Sequence, residues 1–156
     1  MSLLATLLQA LDDDEQEMIA IRRQLHAHPE VSFHEKQTAA YIKAYYAALD
    51  MPVVPCGDGY GMYVDIEGGQ LGPKLALRAD FDALAIQEDN ELPFKSQNPG
   101  VMHACGHDAH TAYLLVLAKE LNKIKTQLSG SIRIIHQPAE EVSPGGAKGM
   151  IAAGVL

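Results

Sequence analysis

The stretch from Met102 to His110 concentrates side chains that bind metals: one thiol, three imidazoles and one carboxylate occur within nine residues. Within it, only Gly106 separates Cys105 from His107, and its backbone freedom allows a tight turn that points both donors at one ion. Thiolate and imidazole are donors that zinc and similar divalent ions prefer. A Cys-x-His pair alone is also compatible with a buried structural cysteine. The metal interpretation therefore depends on which other donors the fold brings nearby.

Hydrophobic periodicity predicts the helices that surround this stretch. Apolar residues recur at helical spacing, and polar start signals precede several of these segments. The segment that begins at Ser32 has the form of a capping box, in which Ser32 accepts from a first-turn amide and Glu35 reaches back. The predicted helices cover residues 3–11, 12–28, 32–49, 108–121 and 147–156.

Three strands are predicted, and the first two are expected to form a hairpin. Alternating apolar residues at 62–66 lead through the Gly68-Gly69 turn into a strand that passes Leu77. A third, β-branched strand at 132–135 stops before Pro138. This order of helices and strands predicts an α/β fold, with a mixed, partly parallel sheet and helices on both faces.

Carboxylates follow two of these strands at the points where the strands end. Asp80 and Asp82 follow one strand, and Glu140 and Glu141 follow the other. Ligands of α/β sheets bind outside the carboxyl ends of strands, and the Cys105 stretch begins the helix between these two strands. One carboxylate pair is ordinarily a solvated loop, whereas three donor-rich turns at one edge predict a metal site.

Composition excludes several other functions. The 156 residues, 47% of them hydrophobic, suffice for one globular core. A formal net charge of -8 with dispersed Lys and Arg argues against a nucleic-acid partner. No apolar run approaches a membrane span, and neither a phosphate-binding loop nor a nucleophile elbow occurs. Two cysteines are too few for a disulfide framework, so we expect a reducing compartment, the cytoplasm.

Short polar motifs occur along nearly the whole chain. They are His26-Ala27-His28-Pro29-Glu30, Phe33-His34-Glu35, Arg78-Ala79-Asp80-Phe81-Asp82-Ala83-Leu84, Met102-His103-Ala104-Cys105-Gly106-His107-Asp108, Gln137-Pro138-Ala139-Glu140-Glu141 and Gly145-Gly146-Ala147. In this combination and order, the chain resembles the hippurate hydrolase, N-acyl-amino-acid amidohydrolase and auxin-conjugate hydrolase family of metallopeptidases. The resemblance implies the N-terminal portion of a metal-dependent amidohydrolase catalytic domain.

The resemblance also implies roles for individual residues. Cys105, His107 and Glu141 correspond to metal ligands, Glu140 to the general base, and Asp80 to the carboxylate that steadies a ligand imidazole. Zn²⁺ or Mn²⁺ is the expected ion, with Co²⁺ or Ni²⁺ also compatible, and full-length family members hold two ions per site. Glu140 takes a proton from a polarised water that attacks the amide carbonyl of a small N-acyl amino acid. Three other histidines are not implied as ligands: His103, His110 and His136.

Family members are longer than this chain and carry further histidine ligands and an inserted smaller domain. We therefore expect residues 1–156 to be a portion of the catalytic domain that is poorly active by itself and self-associates as a homo-oligomer through an unpaired sheet edge. Two other classes stay open. One is a non-catalytic metal-binding module, in which Glu140 is dispensable, and the other is an interaction domain that keeps the motifs without binding metal.

Overall fold

The computed structural model describes residues 2–156 as one mixed α/β arrangement. Its main elements are α1 (Leu3–Asp13), α2 (Glu15–Ala27), α3 (Lys36–Ala47), β1 (Val54–Pro55), β2 (Met62–Glu67), β3 (Gln70–Asp80), α4 (His107–Lys123), β4 (Ser129–Gln137) and α5 (Ala147–Ala152). All five predicted helices are present. The last is shorter than predicted, because the chain turns at Gly154, whose φ is +81°, and buries Val155.

The four strands form one sheet in the order β1-β2-β4-β3. β4 pairs antiparallel with β2 and parallel with β3, so the predicted mixed, partly parallel sheet is confirmed. The parallel pairing requires a crossover connection, and α4 supplies it. The chain therefore leaves the sheet where β3 ends, passes through α4, and re-enters the sheet at the opposite end, where β4 begins.

The predicted hairpin between the second and third strands is wrong. β4 lies between β2 and β3, which are not hydrogen-bonded neighbours. A Cβ atom on Gly68 or Gly69 would collide with the carbonyl oxygens of Gly130 and Thr126. These glycines allow the chain that enters β4 to approach closely, and do not form a two-residue hairpin turn.

The first turn of α3 is capped by a residue outside the predicted capping box. The carboxylate of Glu30 accepts hydrogen bonds from the amides of Gln37 and Thr38, at 3.1 and 2.8 Å. The predicted capping box of Ser32 and Glu35 is therefore wrong. Both of those side chains are buried and form contacts with the turns that follow β3 and β4.

Helices cover both faces of the sheet, as predicted. On one face α4 packs against the sheet and against α1, α2 and α3, and Ile134 belongs to this main core. The next residue of β4, Ile135, points to the other face and packs with Cys56, Met150 and Val155. Among residues 2–156, the helices are all too short or too polar to cross a membrane.

Candidate metal centre

The parallel pairing of β3 with β4 brings the two carboxylate-bearing turns to one edge. Asp80, the last residue of β3, is the register partner of Gln137, the last residue of β4. The turn before α4 lies at the same edge, where Gly106 adopts φ +97° immediately before the helix begins at His107. Glycine tolerates this left-handed conformation without a steric penalty. The predicted meeting of three donor-rich turns is therefore observed.

Three of the predicted donors converge closely. Ligand atoms of Cys105, His107 and Glu141 all lie within 4.8 Å of one another. His107 is buried, Glu141 is half-buried and Cys105 is exposed, so the group is open on one side. Glu140 adjoins it, with its Oε2 atom 3.9 Å from His107 Nε2 and 40% of its side chain exposed. A small molecule can therefore approach these side chains from solvent.

Asp82 contacts both His107 at the start of α4 and Glu141 in the turn after β4. Its backbone carbonyl oxygen lies 2.9 Å from His107 Nδ1, and its carboxylate Oδ1 lies 3.3 Å from the same nitrogen. The other carboxylate oxygen accepts from the hydroxyl of Ser32 at 2.7 Å and from the amide of Glu141 at 3.0 Å. Burial alone would raise the pKa of Asp82, but these hydrogen bonds outweigh it and lower the pKa to about 2. Asp82 is therefore a buried anion that orients two of the donors.

Asp80 does not make the contact expected of it. The carboxylate in contact with the His107 ring belongs to Asp82, whereas Asp80 accepts from Arg78 at 3.2 Å. Both aspartates are buried, and burial raises the pKa of Asp80, with Arg78 and His107 opposing the rise. Sequence reasoning placed the two aspartates at the right edge but assigned the contact with the imidazole to Asp80, whereas Asp82 makes it. Asp82 lies two residues beyond the end of β3, so the alternation of side chains along the strand does not fix its direction.

The electrostatics of the site favour a cation. Burial would lower the pKa of His107, but hydrogen bonding to Asp82 and the nearby charge of Asp80 raise it to about 9. The pKa of the Cys105 thiol is also raised, first by its contact with Glu141 and then by burial. Glu141 Oε1 is buried without a hydrogen-bond partner. Thiol, imidazole and an unpaired carboxylate oxygen around one point fit a divalent transition metal.

The turn that carries Glu140 and Glu141 has an unusual backbone. Ala139 adopts φ +50°, in the left-handed region that is uncommon for residues other than glycine. Its amide donates to Glu35 Oε1 at 2.8 Å, and Glu35 is fully buried. Desolvation raises the pKa of this carboxyl group, against the hydrogen bonds that lower it. Sequence reasoning missed this role, because the contact joins residues 104 positions apart.

The remaining histidines near the site do not join the donor group. His110 stacks on His107 with ring centroids 6.2 Å apart and an interplanar angle of 10°. His136 is fully buried, and its Nε2 atom lies 2.8 Å from the hydroxyl oxygen of Tyr46. His103 is buried, and neither of its ring nitrogens has a hydrogen-bond partner. His110 thus packs beside His107 without joining the donor group.

The chain belongs to peptidase family M20/M25/M40, whose sequence profile matches residues 76–156. It is 44% identical over 146 residues to an N-acyl-L-amino acid amidohydrolase of Geobacillus stearothermophilus, covering 94% of this chain and 40% of that protein. These matches agree with the resemblance drawn from the motifs.

Two crystal structures share the fold. The YXEP protein of Bacillus subtilis, described as a dinuclear metal-binding peptidase of the M20 family, superposes with a TM-score of 0.87 at 42% identity, covering 93% of this chain and 40% of that one. A protein of methicillin-resistant Staphylococcus aureus, described as an aminohydrolase, has a TM-score of 0.93 at 57% identity, covering 96% and 39%. The chain therefore spans about 40% of the length of these relatives.

Proposed function

We propose that this chain forms the metal-binding part of a metal-dependent amidohydrolase that cleaves the amide bond of N-acyl amino acids. The observation that carries the proposal is the convergence of Cys105, His107 and Glu141 within 4.8 Å, with Glu140 beside them on the open side. Three protein donors and an open position are typical of a catalytic zinc site. The name of the Geobacillus relative supports the substrate class.

A divalent ion bound by these three residues would polarise both a water molecule and the amide carbonyl of the substrate. Zn²⁺ suits the thiolate and imidazole donors best, and Mn²⁺, Co²⁺ and Ni²⁺ are the next candidates. A two-ion centre, of the kind described for the Bacillus subtilis relative, needs donors beyond these three.

Glu140 acts in this proposal as the proton carrier. Both carboxylates lie at similar distances from His107 Nε2, 3.9 Å for Glu140 and 3.8 Å for Glu141, but Glu140 is the more exposed and can reach a water molecule from the solvent side. Glu140 takes one proton from the water as the water oxygen bonds to the amide carbon. When the carbon-nitrogen bond breaks, the same carboxyl group gives that proton to the leaving amine. Asp80, buried with its Oδ1 atom unpaired, stays a predicted contributor of negative charge to this reaction.

The test uses metal content and hydrolysis together. Cys105→Ser and His107→Ala should each lower the affinity for Zn²⁺ by at least about 100-fold, because each removes a ligand. Glu140→Gln should keep the metal and lose amide hydrolysis in the complete gene product. The matched control is Glu91→Gln, because Glu91 is an exposed glutamate that pairs with Lys95 and not with any residue of the donor group. It should change neither property.

Each competing class gives a different result in the same experiment. A non-catalytic metal-binding module would bind Zn²⁺ in the wild type and show no hydrolysis of any N-acyl amino acid. An interaction domain without metal would show no stoichiometric Zn²⁺ by mass spectrometry.

Both free cysteines are compatible with the reducing environment of the cytoplasm, which we propose as the compartment.

A further inference from the structure

His26 lies between two buried carboxylates that come from distant parts of the chain. Its Nδ1 atom is 2.8 Å from Asp108 Oδ2, and its Nε2 atom is 3.1 Å from Glu88 Oε1. The exposed fractions of His26, Asp108 and Glu88 are 3%, 1% and 1%. Arg22 also donates to Asp108, at 3.2 Å. We refer to these four residues as the His26 cluster.

The two buried carboxylates of the cluster each need a hydrogen-bonding partner. Burying an unpaired carboxylate is costly. His26 presents one ring nitrogen to Asp108 and the other to Glu88, so a single imidazole contacts both carboxylates. Burial alone would raise the pKa of Glu88, but hydrogen bonds from the Ser96 amide and from His26 outweigh it and lower the pKa.

The cluster connects α2, α4 and the long segment between β3 and α4. His26 lies near the end of α2, and Asp108 lies in the first turn of α4. Glu88 belongs to the long segment between β3 and α4, which folds around this carboxylate through the amide of Ser96 at 2.7 Å. The same segment is attached to the end of α2 by the amide of Gln97, which donates to the carbonyl of Ala27 at 2.9 Å.

Asp108 directly follows His107, so whatever holds Asp108 also fixes the position of His107. The start of α4 has no side-chain cap of its own, because Gly106 occupies the capping position. The side chain of Asp108 is instead held from outside the helix by His26 and Arg22. The first turn of α4 is therefore held from outside the helix, at Asp108 by α2 and at His107 by Asp82, and not by its own capping residue.

We infer that His26 is a positioning residue, which through Asp108 and Glu88 fixes the first turn of α4 and thereby the placement of Cys105 and His107. The part of this inference that concerns metal ligands rests on the proposed metal centre. The part that concerns the first turn of α4 does not depend on any ion.

The first arm of the test needs no metal. The amides of Ala109 and His110 donate to the carbonyl of Gly106 and report whether the first turn is held. His26→Gln should increase their hydrogen-exchange rates by at least about tenfold, because the one amide nitrogen cannot take the place of both ring nitrogens and the amide oxygen cannot donate to a carboxylate. The control is His28→Gln, an exposed histidine two residues away, which should leave these rates unchanged.

The second arm uses Co²⁺ as the probe. His26→Gln should weaken Co²⁺ binding by about tenfold and reduce the thiolate-to-cobalt absorption per bound ion, because Cys105 no longer lies at a fixed distance from His107. A variant whose only defect is lower stability would keep the wild-type spectrum once the ion is bound. Should His26→Gln fail to fold by circular dichroism, Glu88→Gln serves in both arms, with smaller changes in the same direction.

The outcomes separate this inference from the proposed function. Unchanged amide exchange at Ala109 and His110 in the folded variant would overturn the positioning role. Faster exchange with an unchanged Co²⁺ affinity and spectrum would overturn the link to the metal ligands. A wild-type chain that binds no Co²⁺ would overturn the proposed metal centre, while the exchange arm still decides whether His26 holds the first turn of α4.

Discussion

Glu35 accepts a hydrogen bond from the amide of Ala139 at 2.8 Å, and this contact supports the turn that carries Glu140 and Glu141. Glu35→Ala leaves that buried amide without an acceptor, which costs about 1 to 3 kcal/mol of folding free energy. Glu35→Gln keeps an acceptor oxygen and should lose less. Urea unfolding of both variants measures the difference, and equal losses would show that the hydrogen bond is not what stabilises the turn.

Asp82 and Asp80 should respond differently to the same substitution. Asp82→Asn removes the charge beside the His107 ring and should lower Zn²⁺ affinity by about 10 to 100-fold. Asp80→Asn should leave the fold and most of the metal affinity intact while impairing amide hydrolysis by the complete gene product. Zn²⁺ competition with a chelator measures the affinities. A greater loss of affinity in Asp80→Asn would reverse the roles that the contacts indicate.

Arg133 should be sensitive even to replacement by lysine. Its guanidinium donates twice to Asp65, at 2.8 and 2.7 Å, donates to the carbonyl of Val155, and lies 3.8 Å from the ring centroid of Tyr63. Lysine cannot reproduce the paired hydrogen bonds. We expect Arg133→Lys to lower the free energy of unfolding by about 1 to 2 kcal/mol. Lys74→Arg, at a partner of Asp65 that is more exposed, is the control and should have little effect.

The pairing of Asp65 with Arg133 also predicts a pH dependence. Hydrogen bonding to Arg133 lowers the pKa of Asp65 below its ordinary value of 3.8. A group whose pKa is lowered by folding stabilises the protein above its unfolded pKa, and this contribution is lost as pH falls through the folded pKa. Near neutral pH, the free energy of unfolding of the wild type should exceed that of Asp65→Asn by about 1 kcal/mol. The difference should shrink as pH falls below about 4, and a constant difference in urea titrations would contradict the assignment.

The free edge of β3 predicts self-association of this chain. Among the described residues, β4 is the sole strand that pairs with β3, and Leu71 and Leu75 on β3 are 102% and 55% exposed. Unpaired apolar edges recruit other chains. Sedimentation should detect an oligomer that the double variant Leu71→Lys, Leu75→Lys dissociates. The control Leu4→Lys, on the exposed side of α1, should not dissociate it, and a monomeric wild type would contradict the prediction.

Local patterns were sufficient to predict the helices, the strand ends and the meeting of three donor-rich turns, whereas the choice of Cys105, His107 and Glu141 among their residues came from the family resemblance. The sequence was not sufficient for features that depend on long-range pairing. β4 pairs with β2 across more than 60 residues and so separates β2 from β3, and the glycines at 68 and 69 were mistaken for a hairpin turn. The contacts of His26 with Asp108 and Glu88 span 82 and 62 residues, and neither spacing nor periodicity reports such distances.

The parallel pairing of β3 with β4 affects how the stability of the protein in the cell depends on metal supply. Parallel strands pair across long loops, and such non-local contacts form late in folding. Cys105 precedes the crossover helix α4 and Glu141 follows β4, so an ion bound to both would tie the start of α4 to the end of β4. At a metal concentration 100 times the dissociation constant, binding to the folded chain alone would stabilise it by about 2.7 kcal/mol. In a cell short of metal, the first symptom would be faster degradation and lower abundance of the protein, before any change in the turnover of the molecules that remain.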